Sequence, residues 1–220
     1  MSRGWVIGII LACLFSTTYH AQTQDDDGFI RADRLGIAHI SSYTEDTPDT
    51  RYQQALQLGA GWNRFPIYWN VAQPEPETWD WSAFDRQILN DLSYGLQINA
   101  ILLGRPQFYA AGDNGERIAG INEPIFSDGT DTPANGKTLN PDNPWVTFVF
   151  EAVNRYKPEG LLAQQGFIPS GQGVRVWEIW NEPDHLPFWG ATIRDYARLL
   201  KISYIVAKLA DPDAQVMFGG

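Results

Sequence analysis

The sequence carries a single cysteine, Cys13, and only three histidines in 220 residues. A disulfide framework is thereby excluded, and so is a cysteine-rich zinc site, because each needs several ligands at set spacings. Positive charge is scarce too: 16 Lys and Arg stand against 26 Asp and Glu, a formal net charge of -10. A chain without a basic face is poorly suited to nucleic acid or to an anionic membrane surface, so neither is expected as a partner. Beyond the N-terminal segment no apolar run approaches the roughly 20 residues of a membrane helix, and no span is expected. What is plentiful is core material, with 44% hydrophobic and 13% aromatic residues, enough for one large domain or part of one. A neutral, hydroxyl-rich ligand suits such a composition.

Residues 1–21 read as an export signal: Arg3 gives the positive start, Trp5 to Phe15 the apolar stretch, and Ala21 a small residue at a cut site. Cys13 falls inside it, so the exported chain, starting near Gln22, is expected to have no thiol. Ile10-Leu11-Ala12-Cys13 loosely resembles a lipoprotein cleavage box, which keeps anchoring at Cys13 as the alternative to simple secretion. Residues 22–33 are a polar linker, and residues 34–220 form the domain.

From Arg34 the pattern alternates regularly. Leu35 to Ile40 predicts a short strand, and Thr47-Pro48 an N-cap with proline opening a helix that Gly59 and Gly61 close. Trp62 to Trp69 predicts the second strand. Ser82 and Asp85 stand three apart as a capping box before Phe84, Ile88 and Leu92. Leu96 to Leu103 is the third strand, apolar enough to be buried on both faces. After a long connection, Asn143-Pro144 opens a helix with Trp145, Phe148, Val149, Ala152 and Tyr156 on one face. Val174 to Trp180 is the fourth strand, stopped by Pro183. Thr192 and Asp195 box the next helix, striped by Leu199, Ile202, Val206 and Leu209, and Gln215 to Phe218 begins a fifth strand.

Such alternation implies α/β architecture with a parallel sheet, either doubly wound or closed as a (β/α)8 TIM barrel. No glycine-rich phosphate loop follows the first strand, which weakens a dinucleotide-binding reading. A barrel needs eight strands and about five are visible, so the expectation is a barrel truncated after about the fifth strand.

The chemistry gathers at Trp177-Glu178-Ile179-Trp180-Asn181-Glu182-Pro183-Asp184, where a carboxylate and an amide sit at the mouth end of a strand. On a strict two-residue period Glu178, Trp180 and Glu182 face one side and Asn181 the other, so Asn181 and Glu182 meet one ligand only if the backbone bends there. A glutamate walled by Trp180 and Trp189 would be desolvated, as a general acid near neutral pH requires.

Trp-x-x-Trp-Asn-Glu-Pro at the end of a fourth strand resembles the acid/base signature of clan A glycoside hydrolases, retaining enzymes on the eight-fold barrel. Arg64-Phe65-Pro66, Trp79 to Asp85 and Phe218-Gly219-Gly220 extend the likeness. The resemblance implies that Glu182 protonates the leaving oxygen and then activates water, that Asn181 binds the sugar 2-hydroxyl, and that a second glutamate, expected on a seventh strand outside this sequence, attacks the anomeric carbon about 5 Å away. It implies an oligosaccharide, polysaccharide or glycoside as substrate. Without that nucleophile the chain alone is expected to be inactive.

Arg64 is expected to orient the missing nucleophile, to form a structural pair with Glu178, or to do both. Trp69, Trp189, His39 and His185 are further candidates for substrate contact, each weighed against an ordinary core or loop role. The 105–143 connection offers either sugar subsites or a solvated lid. No His, Cys and carboxylate cluster has metal-ligand spacing, so neither a catalytic metal nor a cofactor is expected. The alternative function is a non-catalytic carbohydrate-binding or scaffold protein on a degenerate barrel.

Overall fold

The structure, a computed structural model, describes residues 32–220. The export signal, Cys13 and nearly all of the polar linker lie outside the described residues. After a single 3-10 turn the elements are β1 (Gly36–Ala38), α1 (Asp49–Gln57), β2 (Trp62–Tyr68), α2 (Trp69–Ala72), α3 (Ser82–Ser93) and β3 (Gln97–Leu103). A two-residue hairpin, β4 (Ala110–Ala111) with β5 (Arg117–Ile118), precedes α4 (Pro144–Tyr156), α5 (Leu161–Gln164), β6 (Val176–Ile179), α6 (Ile193–Ala210) and β7 (Gln215–Phe218).

The main sheet runs β1-β2-β3-β6-β7, every neighbouring pair parallel. Each strand lies beside the previous one of the sheet. A doubly wound sheet reverses direction at a switch point, and none occurs here, so the ambiguity left by the sequence is resolved toward a singly wound sheet. All five strands consequently end on one side, where the loops that follow them gather.

The two faces of the sheet differ in chemistry because side chains alternate. Asn63, Phe65 and Ile67 of β2, Ile98, Ala100 and Leu102 of β3, and Trp177 and Ile179 of β6 are buried. All but Asn63 join α3, α4 and α6 in the larger core, which also takes Trp145, Phe148, Val149, Ala152 and Tyr156. The opposite face carries Trp62, Arg64, Asn99, Val176, Gln215 and Met217 around an open hollow of about 570 Å³. β3 is therefore not apolar on both faces, as its composition suggested; Gln97 and Asn99 point away from the helices.

Several local expectations are corrected. β1 spans only Gly36–Ala38 because His39 adopts a left-handed backbone, φ 59, and turns the chain. Pro48 caps α1 in place of Thr47, whose hydroxyl accepts from the Ser42 N–H at 3.2 Å. The Ser82/Asp85 capping box does not form. Ser82 already lies in α3, its N–H bonds Asp80 Oδ1 at 3.0 Å, and Asp85 instead accepts from Arg155 Nε at 2.7 Å and Tyr156 OH at 2.9 Å. The Thr192/Asp195 box is formed as expected. On α6 the stripe ends at Ala210; Leu209 is exposed. The 105–143 connection is a packed element: Ile118, Ile121, Ile125 and Phe126 are in the core, and Arg198 of α6 donates to the Glu123 carbonyl at 2.7 Å and pairs with Asp131.

A buried polar cluster lies between β2, α1 and α3. Asp91 is fully buried, accepting from Tyr52 OH at 2.8 Å and Asn63 Nδ2 at 2.6 Å. Burial outweighs those hydrogen bonds and pushes the Asp91 carboxyl from the ordinary 3.8 up to about 6. In this window the folded state holds a proton that the unfolded state has released, so stability is fully present below about pH 4 and is lost as pH rises to about 6. Denaturant melts of the native chain and Asp91→Asn are expected to differ by an amount that falls by about 2 kcal/mol across this range. Any penalty from the amide itself is independent of pH, so the slope is the readout; a flat difference would remove Asp91 as the titrating group.

Candidate active site

Arg64, the third residue of β2, lies on the open face and reaches across β3 to β6. Its Nε donates to Glu178 Oε2 at 2.8 Å and its Nη2 to Glu178 Oε1 at 2.6 Å, a two-point pairing that matches the planar guanidinium to the planar carboxylate. Asn99 Nδ2 adds a bond to Glu178 Oε2 at 2.9 Å, and the Gly220 N–H one to Oε1 at 3.2 Å. Glu178 is 2% exposed, so its charge depends on these donors. The structural pair of Arg64 with Glu178 is formed, and it is compatible with a further role for Arg64 beside a nucleophile. That hydrogen bond is the main cause holding the Arg64 guanidinium above its ordinary value; burial opposes it, and the charges of Glu178 and Glu182 support it.

The strand ends at Ile179 because the next backbone turns over. Trp180 and Glu182 both take left-handed conformations, φ 68 and φ 45, which are costly for residues with a Cβ and persist where surrounding contacts impose them. Those contacts are specific. The Trp180 N–H bonds the Leu102 carbonyl at 3.0 Å, its indole N–H the Phe188 carbonyl at 2.8 Å, and Tyr196 OH the Ile179 carbonyl at 2.9 Å. Gly219 closes the back: a Cβ there would stand 2.6 Å from the Ile179 carbonyl oxygen.

This bend inverts the parity of a regular strand. Asn181 Oδ1 accepts from Arg64 Nη2 at 2.9 Å, so Asn181 joins Glu178 on the open side, while Trp180 turns into the core. Asn181 keeps its Nδ2 hydrogens as donors. Glu182 is exposed beside it, close enough for its charge to act on Arg64. The aromatic wall expected around Glu182 is not built by Trp180 and Trp189. Both indoles are buried, edge to face at 4.9 Å, with the Trp189 N–H bonded to the Thr192 carbonyl at 3.0 Å.

The other candidates separate. Trp69 is fully buried, stacked on Phe148 at 5.3 Å and Tyr109 at 5.1 Å, its N–H on Gln73 Oε1; it packs the core beneath the loops and offers no face to a ligand. Trp189 is excluded from ligand contact on the same ground. His39 lines a neighbouring cleft of about 320 Å³, its N–H on the Arg64 carbonyl at 2.9 Å. His185 is exposed and contributes backbone: its N–H bonds the Glu182 carbonyl at 3.0 Å and its own carbonyl accepts from Trp189. Sequence reasoning missed Asn99 and Tyr196, and it named Gly219 only as part of the fifth-strand end. Asn99 left a signal, an amide inside an apolar run.

Above the strand ends lies an open cleft of about 490 Å³ whose lining includes Tyr43, Tyr68, Asn70, Arg105, Trp180 and Phe188. Tyr43 and Tyr68 stand 5.6 Å apart, and Phe188 is partly open to solvent. Among the described residues, no group of three or more His, Cys, Asp or Glu side chains converges as a metal site, and no helix is long and apolar enough to cross a membrane.

No protein-family model matches the sequence, and no curated protein does. Solved structures match in fold. A glucosidase from Croceicoccus marinus is 15% identical with a TM-score of 0.53, over 82% of this chain and 35% of its own. A monomeric beta-xylosidase from Caulobacter crescentus CB15 is 21% identical with a TM-score of 0.53, over 83% of this chain and 34% of its own. A family 39 glycoside hydrolase from the gut symbiont Bacteroides cellulosilyticus WH2 is 17% identical with a TM-score of 0.51, over 86% of this chain and 32% of its own. The chain therefore has a glycosidase-like α/β fold with a parallel sheet, and it spans about a third of the length of the chains it matches.

Proposed function

We propose that this chain is the N-terminal part of a (β/α)8 barrel and provides the acid/base side of a retaining glycoside hydrolase that is exported from the cell. The observation that carries the reading is the double left-handed turn at Trp180 and Glu182, which sets Asn181 on Arg64 and leaves Glu182 open at the mouth of β6. In this reading Glu182 protonates the glycosidic oxygen as it leaves, then takes a proton from the water that resolves the glycosyl-enzyme. Asn181 Nδ2 donates to the 2-hydroxyl. Glu178 is committed to Arg64 and Asn99, so the attacking carboxylate belongs to another element, about 5 Å from Glu182.

The substrate is a glycoside or an oligo- or polysaccharide. The stereochemical course of the reaction is testable by the anomer first released: proton NMR in the opening minutes of hydrolysis is expected to show the configuration of the substrate. An inverted product would remove the double-displacement mechanism and with it the need for a carboxylate so near Glu182.

A further inference from the structure

One charge in the cleft above the strand ends is without a matching partner. Arg105 follows β3 directly, after Gly104, whose positive φ of 82 turns the chain and whose missing Cβ makes room for Asn70 Oδ1. The Arg105 Nε is buried with no hydrogen-bond partner. Burial draws the guanidinium below its ordinary value, and the charge that opposes this is Glu116. Glu116 is already engaged: its Oε2 accepts from the Asn114 N–H at 3.0 Å, and its Oε1 stands 3.7 Å from Arg117 Nε. Other arginines withdrawn from water here meet a carboxylate directly, as in Arg64 with Glu178, Arg155 with Asp85 and Arg198 with Asp131. In a chain with 26 acidic residues, a partly desolvated guanidinium with no carboxylate hydrogen-bonded to it is a costly arrangement.

We propose that Arg105 receives the carboxylate of an acidic sugar, so that the cleft takes a uronic acid residue of the glycan. This rests on the carbohydrate reading above and narrows it. The paired Nη groups of a guanidinium form a planar fork that fits a planar carboxylate at two points. Tyr43, Tyr68 and Phe188 supply aromatic surface for the C–H face of a pyranose ring, and Asn70 and Gln107 supply amides for its hydroxyls. A neutral sugar filling the same space would withdraw the guanidinium further from water and bring no counter-charge. Discrimination against the neutral ligand therefore follows from the same unpaired charge that favours the acid.

The test is binding by saturation-transfer NMR and calorimetry to the 220-residue chain, using methyl glycosides of glucose, galactose and mannose, each paired with its C6-oxidised uronate and its 6-sulfate. At least one uronate is expected to bind about tenfold or more tightly than its neutral partner, and Arg105→Gln to remove that preference, chiefly by weakening the uronate. Arg105→Lys is expected to restore only part of it, since an ammonium lacks the fork. Equal binding of neutral and acidic members, or a preference that survives in Arg105→Gln, overturns the proposal and leaves the carbohydrate reading standing. Tighter binding of the sulfates overturns the assignment to uronic acid. A folded chain that binds none of the panel overturns both. Should Arg105→Gln fail to fold, the uronate preference of the native chain and its weakening by salt decide the matter alone.

Discussion

Glu182→Ala is expected to lower the turnover of an aryl glycoside by about 100-fold to 10,000-fold, the span usual for loss of a positioned acid/base. The loss should depend on the leaving group. A good leaving group departs without protonation, so glycosylation is spared and the glycosyl-enzyme accumulates for want of a base to activate water. Azide, which needs no general base, is then expected to restore part of the rate and to yield a glycosyl azide. The preparation to use is one that hydrolyses the substrate, whether this chain or a longer product containing it. Unchanged turnover, or a loss that azide leaves untouched on every substrate, would take Glu182 out of this role. The geometry behind the expectation is the exposed position of Glu182 beyond an imposed left-handed turn, next to an Asn181 whose carbonyl is already held by Arg64.

Glu178→Ala is expected to destabilise the fold by about 3 kcal/mol in urea melts, the lower part of the range for breaking a buried ion pair, because the Arg64 side chain keeps 30% exposure and can be partly rehydrated. Removing both charges together, as in Arg64→Met with Glu178→Leu, should recover most of that loss, since neither buried charge is left alone. Arg64→Met alone, Glu178→Leu alone and the double variant form a cycle. If Glu178→Ala stayed within about 0.5 kcal/mol of the native chain, the pair would not be holding β2 to β6. The same variants report on the site: without Glu178, Arg64 has one fewer reason to stay where Asn181 needs it, so binding of a glycoside with a free 2-hydroxyl should weaken along with stability.

How far the sequence could be read depended on whether a signal was local. Pro144 starts α4 through its own fixed φ, with no side-chain cap from Asn143, and the Thr192/Asp195 box starts α6 through bonds within three residues; both helices appear where the pattern placed them. Ser82 and Asp85 carry the same local signal, yet Asp85 is drawn to Arg155 and Tyr156, some 70 residues away, because a charged partner and a buried phenol outcompete one backbone N–H. Trp69 and Trp189 illustrate the other failure. An indole is equally suited to a core and to a sugar face, and only packing decides; here both are enclosed.

The sequence by itself determined the alternation of strands and helices, the acidic and cysteine-poor character, and the presence of Asn181 and Glu182 at the end of a strand, since these follow from periodicity, composition and the stop at Pro183. The tertiary structure decided the singly wound strand order and the direction in which the site faces. A regular strand would have set Asn181 opposite Glu178. The left-handed turns at Trp180 and Glu182 reverse that parity, and they exist because the Leu102 and Phe188 carbonyls, Tyr196 OH and the Cβ-free Gly219 all press on one short stretch of backbone from elements that are remote in sequence.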